Sequence, residues 1–305
     1  MAEVIGECAL CREKKELQLS HIIPKFVGRY LKQTSIGNIR SQENPDKPVQ
    51  DIEKHYLLCH DCEERFSAAE RYFANTVFYP YHKDNQEKID YNEQLYYFIT
   101  SLSWRSLYLD IVNFVKDGDV RIDVLEKIIE SEKIMREFLL KRRSDIGNIE
   151  NHIFFFERIQ EVNAPADSIY HTGKPHVTIH RSLASYSGYY DNTIYTISNL
   201  MGIIIVTLYE KDADEEWNGT EIFNKDSSVV AKNQVMKSRV CAEIEFWMKQ
   251  SQESYEKMSE SNKQKIADKM KKLGEDIKKY DIFQDFMDDY DLKNIENETV
   301  KDDEV

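Results

Sequence analysis

The chain has 305 residues, a net charge of -14, 41% hydrophobic residues and 11% aromatic residues. That composition excludes an intrinsically disordered chain and leaves room for two or three domains with real cores. The longest apolar run, residues 200–206 with Gly202 inside it, falls far short of the ~18 residues that span a bilayer, so no membrane segment is expected. The sequence does not open on a basic-then-apolar leader, and a cytoplasmic location is the expectation.

Residues 1–80 read as a metal-binding module. Cys8-Ala9-Leu10-Cys11 is a Cys-x2-Cys knuckle, and Cys59-His60-Asp61-Cys62 is a second, 47 residues further on. Four soft thiolates are the number and type that close a tetrahedral structural Zn2+ site, leaving no open position for chemistry at the metal. Only Cys241 of the five cysteines lies outside this set, which argues against a secreted disulfide framework. Cys241 itself reads as a small buried apolar residue.

Between the knuckles, residues 17–23 alternate like a short strand and Pro24 suits the first turn of a helix. Phe26, Val27, Tyr30 and Leu31 then form an apolar stripe, with Lys25, Arg29 and Lys32 on another face. Gly28 inside that helix costs ~1 kcal/mol relative to alanine. Residues 34–51 read as a loop and 55–58 as a second strand. Past the second knuckle, Cys62, Phe66, Ala69, Phe73 and Val77 share one helix face. A knuckle, a long excursion and a knuckle that opens a helix is the layout of a treble-clef zinc finger.

Residues 81–150 predict a helical hairpin, with helices over 92–114 and 122–142 packed against the module. Residues 151–225 predict a β-rich region with strands at 177–180, 193–197 and 202–209, the last nearly all apolar and therefore central. Residues 226–280 return to helix, starting at 229. Residues 281–305 form an acidic tail expected to be disordered, with Ile282, Phe283, Phe286, Met287 and Tyr290 marking the alternative of one short docked helix. The fold class expected is α+β, an N-terminal treble-clef (ββα-metal) zinc module followed by a mixed helical and antiparallel-sheet region.

Charge is unevenly spread. The last 25 residues hold -8 of the -14, whereas residues 17–42 contain Lys25, Arg29, Lys32 and Arg40 and no acidic residue. Net charge therefore does not exclude a nucleic-acid partner, whose phosphates need lysine and arginine.

Cys8-x2-Cys11, Ser20-His21-Ile22-Ile23-Pro24, Tyr56-Leu57-Leu58-Cys59 and Cys62-Glu63 together resemble the HNH endonuclease superfamily over roughly residues 5–80. More narrowly, the pattern is similar to a bacterial branch that carries Ser-His-Ile-Ile-Pro-Lys-Phe before Leu-Leu-Cys-x-x-Cys-Glu. The resemblance implies His21 as general base and Glu63 with Ser20 as ligands of a catalytic Mg2+ or Mn2+. The basic face of Lys25, Arg29 and Lys32 itself reads either as a solvated helix face or as a contact along the phosphate backbone of nucleic acid, DNA being expected. In many relatives such a module serves bacterial defence against phage. The chain departs from the pattern at Ser20, where an Asp or His is usual, and at Lys54, where a middle Asn is expected. Near Ser67 some members have a further His. Glu70, two turns past Glu63, stands in place to assist it. Those departures support the alternative, a non-catalytic zinc scaffold that binds nucleic acid or a protein partner. In that reading the C-terminal half holds the partner or a second copy. His152, His171, His176 and His180 form no ligand spacing and read as strand and loop residues. Tyr186, Tyr189, Tyr190 and Tyr195 read as sheet packing, and Asp61 and Glu64 as a solvated helix start.

Overall fold

The computed structural model describes residues 3–159, 168–169 and 173–302, with side chains to Leu292; His171 lies outside these. It is a mixed α+β chain in two compact units, neither continuous in sequence. Met1–Lys25, Glu53–Phe155 and Ala184–Val240 make the first unit, and Phe26–Ile52, Phe156–Leu183 and Cys241–Val305 the second.

The first unit opens with β1 (Ile5–Glu7) and β2 (Lys14–His21). In sequence, α1 (Lys25–Thr34) intervenes before β3 (Lys54–Cys59). The three strands form one sheet in the order β1-β2-β3. β2 and β3 are antiparallel, from Leu17 opposite Cys59 to His21 opposite Lys54, with a register shift after Gln18. β3 runs straight into α2 (His60–Phe73), whose Cys62, Phe66, Ala69 and Phe73 are buried, as their spacing predicts. A π-turn over Ala74–Phe78 carries the chain on into α3 (Tyr79–Asp84), with Pro80 in its first turn, where a missing N–H is harmless.

After β4 (Lys88–Tyr91) come α4 (Glu93–Asp117) and α5 (Ile122–Leu139), which pack on each other. The Asn92 side chain caps α4 by accepting from the Gln94 N–H at 2.9 Å, and Gly118 ends it in the left-handed region at φ 72°. Against α4, Phe66 of α2 meets the edges of Tyr97 and Trp104, and Phe73 stacks on Phe98 at 4.1 Å between centroids.

The remaining strands of the unit are β5 (Glu150–Phe155), β6 (Leu183–Tyr190), β7 (Thr193–Leu200), β8 (Ile203–Glu210), β9 (Glu216–Asn218), β10 (Glu221–Ile222), β11 (Ser227–Val230) and β12 (Val235–Lys237). Five of them form a sheet in the order β10-β5-β8-β7-β6, so the apolar β8 is central, as expected. The layer between this sheet and α4 is polar. Thr207 Oγ1 lies 2.8 Å from both Ser103 Oγ and Asn151 Oδ1, Asn151 Nδ2 donates to Thr100 Oγ1 at 2.8 Å, and Ser185 joins Ser106 to Ser198. Burying hydroxyls and amides costs little only when they find such partners.

The second unit contains α1, α6 (Pro175–His180), α7 (Ala242–Lys257), α8 (Glu260–Leu273) and α9 (Asp281–Asp302). Gly28 of α1 is explained by Ile52, because an added Cβ would sit 2.8 Å from Ile52 Cγ2. Three sequence expectations are corrected. Residues 177–180 are helical rather than extended, since Pro175 opens a helix and Asp289 accepts from the His176 and Val177 N–H groups at 2.9 and 3.0 Å. Helix begins at Ala242 rather than 229, because Ser227–Val230 pairs with β4 and Val235–Lys237 with β9. The acidic tail is helical over Asp281–Asp302, the alternative to disorder, and Asp285 and Asp289 are buried in it together with Leu292, whereas Met287 and Tyr290 are exposed. Those two aspartates are held by His176, His180 and Arg181. Cys241 is half-buried just before α7.

Candidate metal centre and the residues around it

The two knuckles are brought together by main-chain bonds before any metal is considered. Cys8 O accepts from Arg12 N at 2.9 Å across a turn in which Arg12 has φ 65°, and Ala9 N donates to Leu57 O of β3 at 2.9 Å. The Arg12 side chain lies over the Tyr108 ring at 5.1 Å and reaches Glu132 of α5 at 3.4 Å. Glu132 is almost fully buried and also accepts from Trp104 Nε1 at 3.0 Å and Arg136 Nε at 3.2 Å. The first knuckle is thus fastened to both long helices.

The Sγ atoms of Cys8, Cys11, Cys59 and Cys62 lie within 4.8 Å of one another, with Cys11 and Cys59 3.9 Å apart. A tetrahedron of ~2.3 Å Zn–S bonds has edges of ~3.8 Å, so the cluster is compatible with structural zinc. All five cysteines are free thiols. Cys8 Sγ accepts the Cys59 backbone N–H at 3.3 Å and is faced by the amides of Cys11 and Leu10. A hydrogen bond from Cys62, followed by those amides, outweighs burial and pushes the Cys8 thiol down to about 4. The same bond, with burial, pushes Cys62 up, and burial raises Cys11. Four sulfurs this close repel as thiolates, and a divalent cation among them lets all four ionise together. His60 is exposed on the outside of the second knuckle.

His21 is the last residue of β2 and is half-buried, with Lys54 opposite it in register. Its carbonyl accepts from Arg105 Nη1 of α4 at 2.9 Å. Arg105 is 1% exposed, and the same Nη1 pairs with Glu70 of α2 at 2.8 Å. Arg105 Nη2 is buried without a hydrogen-bond partner. Glu63, in the first turn of α2, is half-buried, and its Oε1 has no partner either. Glu63 and Glu70 are two turns apart and so lie along one stripe of the helix. α4 therefore ties that stripe to the end of β2.

Ser20 is not brought alongside His21. Neighbours in a strand project to opposite faces, and the Ser20 hydroxyl is buried, donating to Gln18 O at 3.5 Å. Lys25, Arg29 and Lys32 do share one exposed face of α1, though Lys32 Nζ is engaged by Gln50 O. Asp61 and Glu64 are solvated as expected, Asp61 pairing with Lys15 at 3.0 Å. Arg105 was readable in principle. It falls three residues after Leu102 and four before Leu109 on the apolar stripe of α4, and a charge there implies a buried partner. No protein-family model, curated protein or solved structure matches the chain.

Proposed function

We propose that the chain is a metal-dependent endonuclease of the HNH type, built on a treble-clef zinc module and hydrolysing phosphodiester bonds of nucleic acid, DNA foremost. The observation that carries this reading is Glu63. It sits at the start of the helix in a β2–β3–α2 arrangement around the clustered cysteines, with one carboxylate oxygen removed from water and left unbonded. Leaving such an oxygen unpaired is unfavourable by at least ~1–3 kcal/mol, and a cation removes the penalty. Mg2+ is commonly held by one or two carboxylates plus water and substrate phosphate, so Glu63 suffices, Glu70 being paired with Arg105 at 2.8 Å. A divalent ion there would hold the scissile phosphate and stabilise the leaving oxygen. His21 takes the proton of the attacking water and Lys25 of the same unit supplies a phosphate contact, while Arg29 and Lys32 offer a basic face on the second unit.

The inward Ser20 hydroxyl and the Lys54 beside His21 favour the second reading, a zinc scaffold that binds without cutting. Nicking of supercoiled DNA under Mg2+ or Mn2+ titration separates the two, with zinc content measured on the same samples. His21→Ala and Glu63→Gln should each slow cutting about 100-fold or more while zinc content stays unchanged. Equal cutting by His21→Ala removes His21 from the mechanism. No cutting with any divalent ion, beside a salt-sensitive DNA shift, establishes the scaffold.

A further inference from the structure

At the C-terminal end of α5 the first unit carries a bowl of about 400 Å3, floored by Tyr97 and Phe138 and rimmed by Lys141, Arg142, Arg143 and Glu93. Asn224 closes one wall by donating to the Ser144 carbonyl at 3.1 Å. The volume lies within the roughly 300–1,000 Å3 of small-molecule sites. The two rings are 6.0 Å apart between centroids, and the Tyr97 hydroxyl is fixed by donating to Leu139 O at 2.8 Å.

The helix end beneath the bowl is built against its own preference. Arg142 N donates to Glu137 O at 2.9 Å and Lys141 N to Phe138 O at 2.8 Å, and Lys141 has φ 58°. This is the left-handed closing position that glycine ordinarily fills, because a Cβ is strained there. Cations near a helix C-terminus answer its dipole. Arg142, paired with Glu137 at 3.3 Å, and Arg143, paired with Asp145 at 2.9 Å, already serve that end. Lys141 has no ion-pair partner among the described residues, and it is exposed at the rim. Among the described residues no side chain pairs with this strained lysine, so its ammonium faces the open bowl.

We propose that the bowl binds a nucleoside monophosphate. Its base lies against the Tyr97 ring, backed by the buried Phe138, its phosphate meets Lys141, and its ribose hydroxyls donate to Glu93. Each part answers one chemical demand: an aromatic surface made by Tyr97 and the Phe138 ring tilted 44° to it, a cation beside an anion, and a carboxylate for a diol. The assignment does not rest on the nuclease reading.

Calorimetric titration of the full zinc-loaded chain tests it, with adenosine 5′-monophosphate, adenosine and inorganic phosphate as probes. The nucleotide should bind one to one, and at least tenfold more tightly than either adenosine or phosphate alone. Its 2′-deoxy form should bind more weakly, and Glu93→Gln should erase that difference. Lys141→Gly removes the amine and relieves the backbone together, so it should melt at or above the parent while losing at least tenfold in nucleotide affinity. A nucleotide that binds no better than phosphate, or a stable Lys141→Gly chain that binds it undiminished, overturns the assignment.

Discussion

Replacing Arg105 with methionine removes the charge while keeping most of the side-chain volume. Three bonds go with it: Nη1 to Glu70 at 2.8 Å, Nη1 to the His21 carbonyl at 2.9 Å, and Nε to the Ser101 carbonyl at 3.3 Å. Glu70, whose side chain is 23% exposed, is left facing a site with no cation. Removing one partner of a fully buried pair costs roughly 3–5 kcal/mol, and the partial exposure of Glu70 places this case near ~3 kcal/mol. For a unit of this size that corresponds to a fall in melting temperature of about 6–12 °C. Adding Glu70→Met should recover much of the loss, because apolar replacement of a whole buried pair is often close to neutral. Urea titration followed by Trp fluorescence measures all four corners of the cycle, Trp104 being fully buried beside this face of α4. A single variant within ~0.5 kcal/mol of the parent, or two substitutions that simply add, would refute the reasoning. Arg105→Lys keeps the charge but not the fork; under the proposed nuclease function it should slow DNA nicking while lowering stability less than Arg105→Met does.

Three other outcomes follow from the coordinates. The chain should carry one zinc, and chelation or Cys59→Ser should unfold β1–β3 and α2, since structural zinc contributes ~10 kcal/mol or more to such modules; metal analysis beside circular dichroism reads this. Burial, opposed by hydrogen bonds from Ser187 and reinforced by Glu53, pushes the Asp110 carboxyl up to about 6. The native state therefore holds that proton more tightly than the unfolded chain, and stability is lost as pH rises from about 4 to about 6. Asp110→Asn should gain roughly 1–3 kcal/mol at pH 7.5 and nothing at pH 3.5 in paired melting curves. Gly28→Ala gains ~1 kcal/mol in helix propensity but drives a Cβ to 2.8 Å from Ile52 Cγ2, and should lose about 1 kcal/mol overall by urea titration. In an Ile52→Ala background the same change should stabilise.

The features legible in the sequence are those governed by local period or ligand spacing. Cysteines at 8, 11, 59 and 62 announce their cluster because a knuckle fixes its own geometry. The face made by Cys62, Phe66, Ala69 and Phe73 follows from a 3.6-residue repeat, and the central place of β8 from its continuous apolar run. What escaped is burial secured by polar partners. Asp285 and Asp289 are hidden in α9 because His180, Arg181 and His176 meet them, while Met287 and Tyr290 stay in solvent. A hydrophobicity pattern ranks those residues in the opposite order. The same holds for Thr100, Ser103 and Asn151, whose partners lie on elements distant in sequence. Residues 229–241 contain apolar side chains at helical spacing, yet Val229 and Val230 pair with β4 and Val235–Lys237 with β9, a tertiary choice that propensity does not record. The placing of His21 at a strand end and Glu63 at a helix start was legible in the sequence, whereas Arg105 arrives from outside the module.

Phe26–Ile52, a stretch of the second unit, lies in sequence between the two knuckles. A zinc ion on Cys8, Cys11, Cys59 and Cys62 therefore sutures both ends of a 47-residue loop whose middle is folded with other partners. Closing a loop of that length by a cross-link removes ~4 kcal/mol of entropy from the unfolded chain. A metal bound there would hold the first unit together across that excursion, and no single cut in the polypeptide releases either unit intact.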